Sequence, residues 1–379
     1  MTTPFTAYYT PLEIDTLVIK YPGLGSLYEK NGFRGTSHLI EHLMIRAIPS
    51  TLLKSLEDDA VDYNAFTSET EVVAYFKGIS KYYLKYEEDL LKHFSQLPFC
   101  TKEQFDSEKN VVLQEYSRAY DNPTERVFMN TGRALYGYCG PLGLKEDVEN
   151  FEYHHYVEAV QKLKPEFYIL SKRFEKDGLR IELPESRRTR PKFTGDRVAT
   201  LPKEEEPKSF LPKLLQFFGK SDSSDERVVM FVSDPIDDHN SHHTKLFSDA
   251  INAGLTSPLG KYLRDDLGLV YSSEHWIYDL GDKHVLAFLG VTSEPDKLKT
   301  AYREFFRDIT KHFTPDVFDA HIRSSLIAQE WKEVLPHSGF YAMFDDSLVS
   351  YNEDKSTMGS LHYGLTLFTA EGLKFSVVE

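Results

Sequence analysis

Only two cysteines, Cys100 and Cys139, occur in the 379 residues. That excludes a disulfide framework, and neither thiol lies in a Cys-x-x-Cys pair, so both read as inert thiols of a reducing cytoplasm. Apolar runs are short, none approaching the ~18 residues needed to cross a bilayer. Basic residues are too few for a nucleic-acid binder: 44 Lys and Arg against 59 Asp and Glu leave a net charge of −15, and phosphate binding needs a basic face. The amino terminus, MTTPFTAYYT, has no basic flank and no apolar core, and Glu13 and Asp15 precede the first lysine. It reads as neither a signal nor a transit peptide, and the expected location is the cytoplasm. Short-period repeats and low-complexity tracts are absent. Gly23-x-Gly25 lacks the further glycine and the Lys-Ser/Thr of a phosphate loop, so it reads as a turn.

What is present suits a folded chain of about two domains. Apolar residues make up 41%, enough to bury a sizeable core. Residues 184–225 are rich in Pro, Lys, Arg, Glu and Ser and carry little apolar periodicity, which marks an exposed connection. The expected division is a first domain over 1–190, a linker over 191–225 and a second domain over 226–379. In the first half, strands are expected at Asp15–Tyr21 and Glu71–Phe76. Helices are expected at Ser37–Ala47 (capped by Thr36 or Ser37, with Pro49 beyond), Tyr83–Leu97, Lys102–Tyr120 and Tyr153–Leu163. In the second half, strands are expected at Arg227–Val232, Leu269–Trp276 and Val285–Val291. The helices there are His243–Ala253, Pro258–Leu267, Pro295–His312 and Pro315–Val334. Similar order in both halves predicts an α+β domain built twice, each with helices packed on an antiparallel-rich sheet.

The chemistry concentrates in Gly35–Met44, GTSHLIEHLM, which contains His38-x-x-Glu41-His42. On a helix, positions i, i+3 and i+4 share one face, so both imidazoles can reach one zinc ion. Glu41 then lies beside the metal, where a general base for a metal-activated water belongs. This is the inverted HExxH pattern. The bland alternative is a surface helix with two ordinary histidines. Leu39, Ile40, Leu43 and Ile45 argue against it, because they bury the helix, and buried His and Glu need partners. A third ligand is offered by the segment from Phe105 to Glu115, where Phe105, Glu108, Val111, Val112 and Glu115 fall on one face. A rotated helix with both glutamates in water would expose both valines.

These segments carry a family resemblance. GSLYE (Gly25–Glu29), GTSHLIEHLM, NAFTSETEVVAYF (Asn64–Phe76) and SEKNVVLQEYSRAYDNP (Ser107–Pro123) occur in that order. Together with AGLTSPLGKYLRDDLGLVYS (Ala253–Ser272), they resemble the M16 (pitrilysin) family of zinc peptidases. The resemblance covers most of the chain, least well at 184–225. It implies one zinc per chain, held by His38, His42 and Glu115, with Glu41 as catalytic base. Glu108 would orient a ligand from outside the coordination sphere. Asn64 and Ala65 would belong to a substrate-binding edge strand, and Arg264 and Tyr271 to a clamp on substrate and transition state. The implied architecture is two like domains enclosing a chamber, and the implied activity is hydrolysis of short or unfolded peptides, in a homodimer. The competing expectation is a non-catalytic M16-like subunit or scaffold; a zinc hydrolase acting on other bonds is a third. Two features depart from the pattern. No glycine precedes Asn64-Ala65 in LEDDAVDY, and Lys109 follows Glu108 where the family has arginine.

Other clusters are weaker. Asp237–His243, with His239, His242 and His243, reads as the solvated start of a helix. His154 and His155 are adjacent, so on a helix they point apart.

Overall fold

The computed structural model describes residues 4–10, 12–174, 192, 226–237, 241–252, 257–312, 314, 317 and 375–378; of 241–246 and 375–378 only the backbone is described. They form two compact units.

The first unit is built on β2 (Ile14–Pro22), an alternating strand whose Leu17, Ile19 and Tyr21 point to one face and are fully buried. Its sheet also holds β1 (Thr6–Tyr9), β3 (Asp62–Thr67), β4 (Glu71–Ile79) and β5 (Glu166–Ser171), in the order β1-β5-β2-β4-β3. Every pairing is antiparallel except β1 with β5, so β3 is an edge strand among the described residues. Helices α1 (Thr36–Arg46) and α2 (Ser50–Asp58) connect β2 to β3, and α3 (Ser80–Gln96) follows β4. Next come α4 (Lys102–Asp121), α5 (Pro123–Thr131) with a π-turn at Gly132–Tyr136, α6 (Lys145–Asn150) and α7 (Tyr153–Val160). Leu39, Ile40, Leu43 and Met44 of α1 join Val72, Ala74 and Phe76 of β4 in one core. At about 1.5–3 kcal/mol for each large apolar side chain buried, this face fixes α1 on the sheet.

The second unit repeats the order. Strand β6 (Arg227–Ser233) is continued by the short β7 (Ile236–Asp237), and both lie along β9 (Lys283–Thr292). Helix α8 (Ser241–Asn252) and α9 (Pro258–Gly260), which runs on as a π-turn over Lys261–Asp266, precede β8 (Ser273–Asp279). After β9 come α10 (Pro295–Arg307) and α11 (Ile309–His312), and β10 (Phe375–Val378) pairs antiparallel with β6. The sequence β2-α1-α2-β3-β4-α3 is thus matched by β6-α8-α9-β8-β9-α10. The strand neighbours match too: β5-β2-β4-β3 against β10-β6-β9-β8. This is the duplicated α+β architecture expected from the sequence.

Several boundaries differ from expectation. The strand expected at Leu269–Trp276 starts at Ser273, where pairing with Gly290 begins, so Tyr271 lies in a loop. Residues 118–138, assigned by sequence to the first domain, pack in the second unit. Their apolar side chains explain this: Phe128 stacks on Tyr278 with ring centroids 4.2 Å apart, and Val127, Leu135 and Tyr136 cover the sheet face carrying Val228, Met230 and Val285. Val111 is 38% exposed while Val112 is buried. The core face of α4 therefore runs through Phe105, Val112, Tyr116 and Ala119, with Glu108 and Glu115 at its margin. The helix expected at Pro315–Val334 and most of the 191–225 linker lie outside the described residues, as does most of the Asp237–His243 cluster.

Candidate metal centre

Helix α1 needs help to start. Gly35, its N-cap, has φ +92°, a conformation open to glycine, and a Cβ there would lie 2.6 Å from the Leu142 carbonyl. No local side chain caps the first turn. Instead Glu29 reaches in: its Oε2 accepts from the Gly35 amide at 2.7 Å and its Oε1 from the Ser37 amide at 2.6 Å. A carboxylate at a helix N-terminus satisfies orphan amides and complements the dipole. Enclosure pushes the Glu29 pKa up to about 7, against the opposing pull of the two amides. The expected caps, Thr36 and Ser37, are thus replaced by Gly35 and a distant Glu29. Glu29 lies in the GSLYE segment, and no local spacing rule links it to the helix.

From this start, α1 presents His38, Glu41 and His42 on one side. One donor atom of each lies within 4.8 Å of the others. Helix α4 brings a fourth donor: Glu115 Oε2 sits 3.6 Å from His38 Nε2 and 3.4 Å from His42 Nε2. Donors held at about 2.1 Å in a tetrahedron are about 3.4 Å apart, so Glu115 lies at a zinc-compatible separation from each imidazole. Burial and the neighbouring His42 lower the His38 pKa to about 4, which keeps the imidazole neutral and able to donate its lone pair. His38 Nδ1 is buried and has no hydrogen-bond partner among the described residues, and Nε2 is the nitrogen facing Glu115.

The two nearby carboxylates differ in their surroundings. Glu41 is 9% exposed and accepts a hydrogen bond from Thr67 Oγ1 at 2.7 Å. Burial raises its pKa, with the Thr67 hydroxyl and His42 opposing. Glu115 is half-exposed and lies beside both imidazoles. Glu108 Oε2 lies 3.6 Å from His42 Nδ1, and its Oε1 lies 3.5 Å from Arg46 Nε. It therefore stands behind His42 on the side away from Glu115. Lys109 leaves this group altogether and reaches the carbonyls of Glu149 and Phe151.

Asn64 and Ala65 lie on the edge strand β3, and the Asn64 side chain accepts the Ala65 amide at 2.9 Å. Arg264 and Tyr271 belong to the second unit. Tyr271 is 80% exposed and lies under the Arg264 guanidinium, 5.3 Å from the ring centroid. Tyr271 therefore does not fill core. Neither cysteine enters a site: Cys100 is buried with its thiol on the Leu43 carbonyl, and Cys139 contacts Arg34. His154 faces Glu152 near the surface.

The chain is similar to known proteins over most of its length. The family described as Insulinase (Peptidase family M16) matches residues 17–141, and that described as Peptidase M16 inactive domain matches residues 181–325. An uncharacterized zinc protease of Rickettsia felis is 23% identical over 303 residues, spanning 76% of this chain and 70% of that protein. Among solved structures, a protease from Helicobacter pylori superposes with a TM-score of 0.66 at 17% identity, over 95% of this chain and 90% of that one. An M16-like peptidase from Alicyclobacillus acidocaldarius gives 0.67 at 14% identity, over 100% and 96%. Among the described residues, no helix is long and apolar enough to cross a membrane.

Proposed function

The chain belongs to the M16 family of peptidases, and from that premise we propose that it is a zinc-dependent endopeptidase acting on short or unfolded peptides. The observation that carries this reading is the convergence of His38, His42 and Glu115 from two helices at zinc-compatible separations, with Glu41 beside them. These three residues would hold one zinc ion. When bound, zinc supplies Lewis acidity, polarising a carbonyl and lowering the pKa of a water to about 7.

The protein's own groups divide the remaining work. Glu41 accepts the proton of the attacking water and passes it to the leaving amine. Its burial suits the first of these tasks, because a carboxylate with a raised pKa takes up the proton more readily. Glu108 orients His42 from behind. The β3 edge, at Asn64 and Ala65, takes an extended peptide as an added strand. Arg264 and Tyr271 are assigned to substrate and transition-state binding on the family resemblance. That resemblance is also the basis for a homodimer as the working form, which sedimentation of the active protein would test; a fully active monomer would overturn it.

The presence of every donor and the base favours an enzyme over a non-catalytic binding subunit. Incubating the purified protein with a library of unfolded peptides, with Glu41→Gln as control, tests the reading. Cleavage by wild type, lost in Glu41→Gln with zinc retained, is the expected result. Equal cleavage by both would overturn the base assignment, and no cleavage by a zinc-loaded wild type would overturn the activity.

A further inference from the structure

We infer that Thr67 is a positioning residue for Glu41, so that the strand offered to the peptide also sets the geometry of the base. The inference rests on the zinc-peptidase reading and extends it to a residue outside the HxxEH motif.

The contact is specific. An ionised carboxylate only accepts hydrogen bonds, so the Thr67 hydroxyl donates to Glu41 Oε2, at 2.7 Å. Oε1 has no hydrogen bond among the described residues. One oxygen is therefore tethered and the other left open. A glutamate side chain has several rotatable bonds, and one well-placed donor selects among the conformations they allow.

The donor itself is held rigidly. Thr67 ends β3, opposite Val72 in the ladder. The turn that follows is closed by the Ser68 amide on the Glu71 carbonyl at 2.8 Å. Ser68 Oγ accepts from the amides of Thr70 and Glu71 at 3.2 and 3.1 Å. From the other side, the amides of Gly23 and Leu27 bond to the carbonyls of Thr70 and Glu69. Gly25 permits that approach, since a Cβ there would lie 2.5 Å from the Glu71 amide nitrogen. GSLYE and NAFTSE are thus two sides of one support, and what the support presents to the base is the Thr67 hydroxyl. A side chain held by such a shell keeps its orientation when substrate arrives.

Thr67→Val keeps the β-branched shape suited to a strand and removes only the donor, whereas Thr67→Ser keeps the donor. With an internally quenched unfolded peptide as substrate, Thr67→Val should lower kcat by roughly 10–100-fold, the scale of a misplaced reacting group. Zinc affinity and KM should stay within about threefold of wild type in Thr67→Val, and Thr67→Ser should recover kcat to within about threefold, because neither change touches a metal donor. Unchanged kcat in Thr67→Val, zinc loss accompanying the kcat loss, or failure of Thr67→Ser to rescue would each overturn the inference. A readout without turnover comes from metal-free protein. Thr67→Val should lower the thermal midpoint there but add nothing in a Glu41→Ala background, as expected for directly coupled residues. Additive shifts would overturn the contact. If wild type binds zinc and cleaves no peptide, the hydrolase reading fails, and this cycle still decides whether Thr67 holds Glu41.

Discussion

In the first unit, the helix after the leading strand meets the edge strand through Glu41 and Thr67; in the second, α8 meets β8 through Asp249 with His275 and Asn252 with Ser273. Four strands and the elements joining them follow the same order, yet the polar contacts end differently. His275 Nε2 is closed by Asp249 Oδ1 at 2.9 Å. Glu41 keeps one oxygen open and stands beside two imidazoles whose Nε2 atoms both face Glu115. Among the described residues, only the first unit gathers three metal-type donors at one place. The shared framework accounts for where a helix can meet an edge strand. Chemistry depends on which side chains occupy that meeting point and on whether a neighbouring helix adds a donor, as α4 does.

The largest expected effect separates the two meeting points. His42→Ala should abolish zinc binding and peptidase activity together, whereas His275→Ala should leave zinc content unchanged and cost only about 0.5–1.5 kcal/mol of stability, the scale of one lost hydrogen bond. Equilibrium dialysis with zinc and denaturant unfolding on both variants would check this, and zinc loss in His275→Ala would break the contrast.

Next in size is the contribution assigned to the second unit. Tyr271→Phe should lower kcat by roughly 10–1000-fold, the range for one lost transition-state donor, with zinc content unchanged. Because Tyr271 is 80% exposed, its thermal midpoint should not move. Arg264→Ala should raise KM as well as lower kcat. Wild-type kinetics in both variants would leave the second unit without a catalytic part.

Smaller effects sharpen the account of the first unit. Glu108→Ala should weaken zinc binding or activity by about 10–100-fold without abolishing either, as is typical when a ligand loses its orienting partner. Glu29→Ala should cost about 1–2 kcal/mol, the scale of a lost helix cap, and should not remove a metal donor. Competition with a zinc chelator and denaturant unfolding measure the two.

Much of this was legible in the sequence where the cause is local. Helical spacing puts His38, Glu41 and His42 on one face, and the same periodicity brings Glu108 and Glu115 to one side of α4. The Leu, Val and Ile content of Asp15–Tyr21 marks β2 as a strand, and it is buried on both faces. Features set by long-range packing were not legible. The cap from Glu29 crosses a turn with no spacing signature. The Thr67 contact depends on how the β3–β4 turn closes. The transfer of residues 118–138 to the second unit is decided by which sheet face needs covering, a matter on which the apolar pattern of α5 is silent. Val111 was misplaced because Glu108 and Glu115 lie at the margin of the α4 core face rather than at its centre, which turns Val111 outward.

On the proposed function, one of the two matching frameworks carries a single metal site. Zinc stoichiometry by metal analysis after dialysis, on wild type, His38→Ala and Asp249→Ala, tests it most directly. One zinc per chain is expected in wild type and Asp249→Ala, and none in His38→Ala. One zinc retained in His38→Ala, or lost in Asp249→Ala, would contradict it.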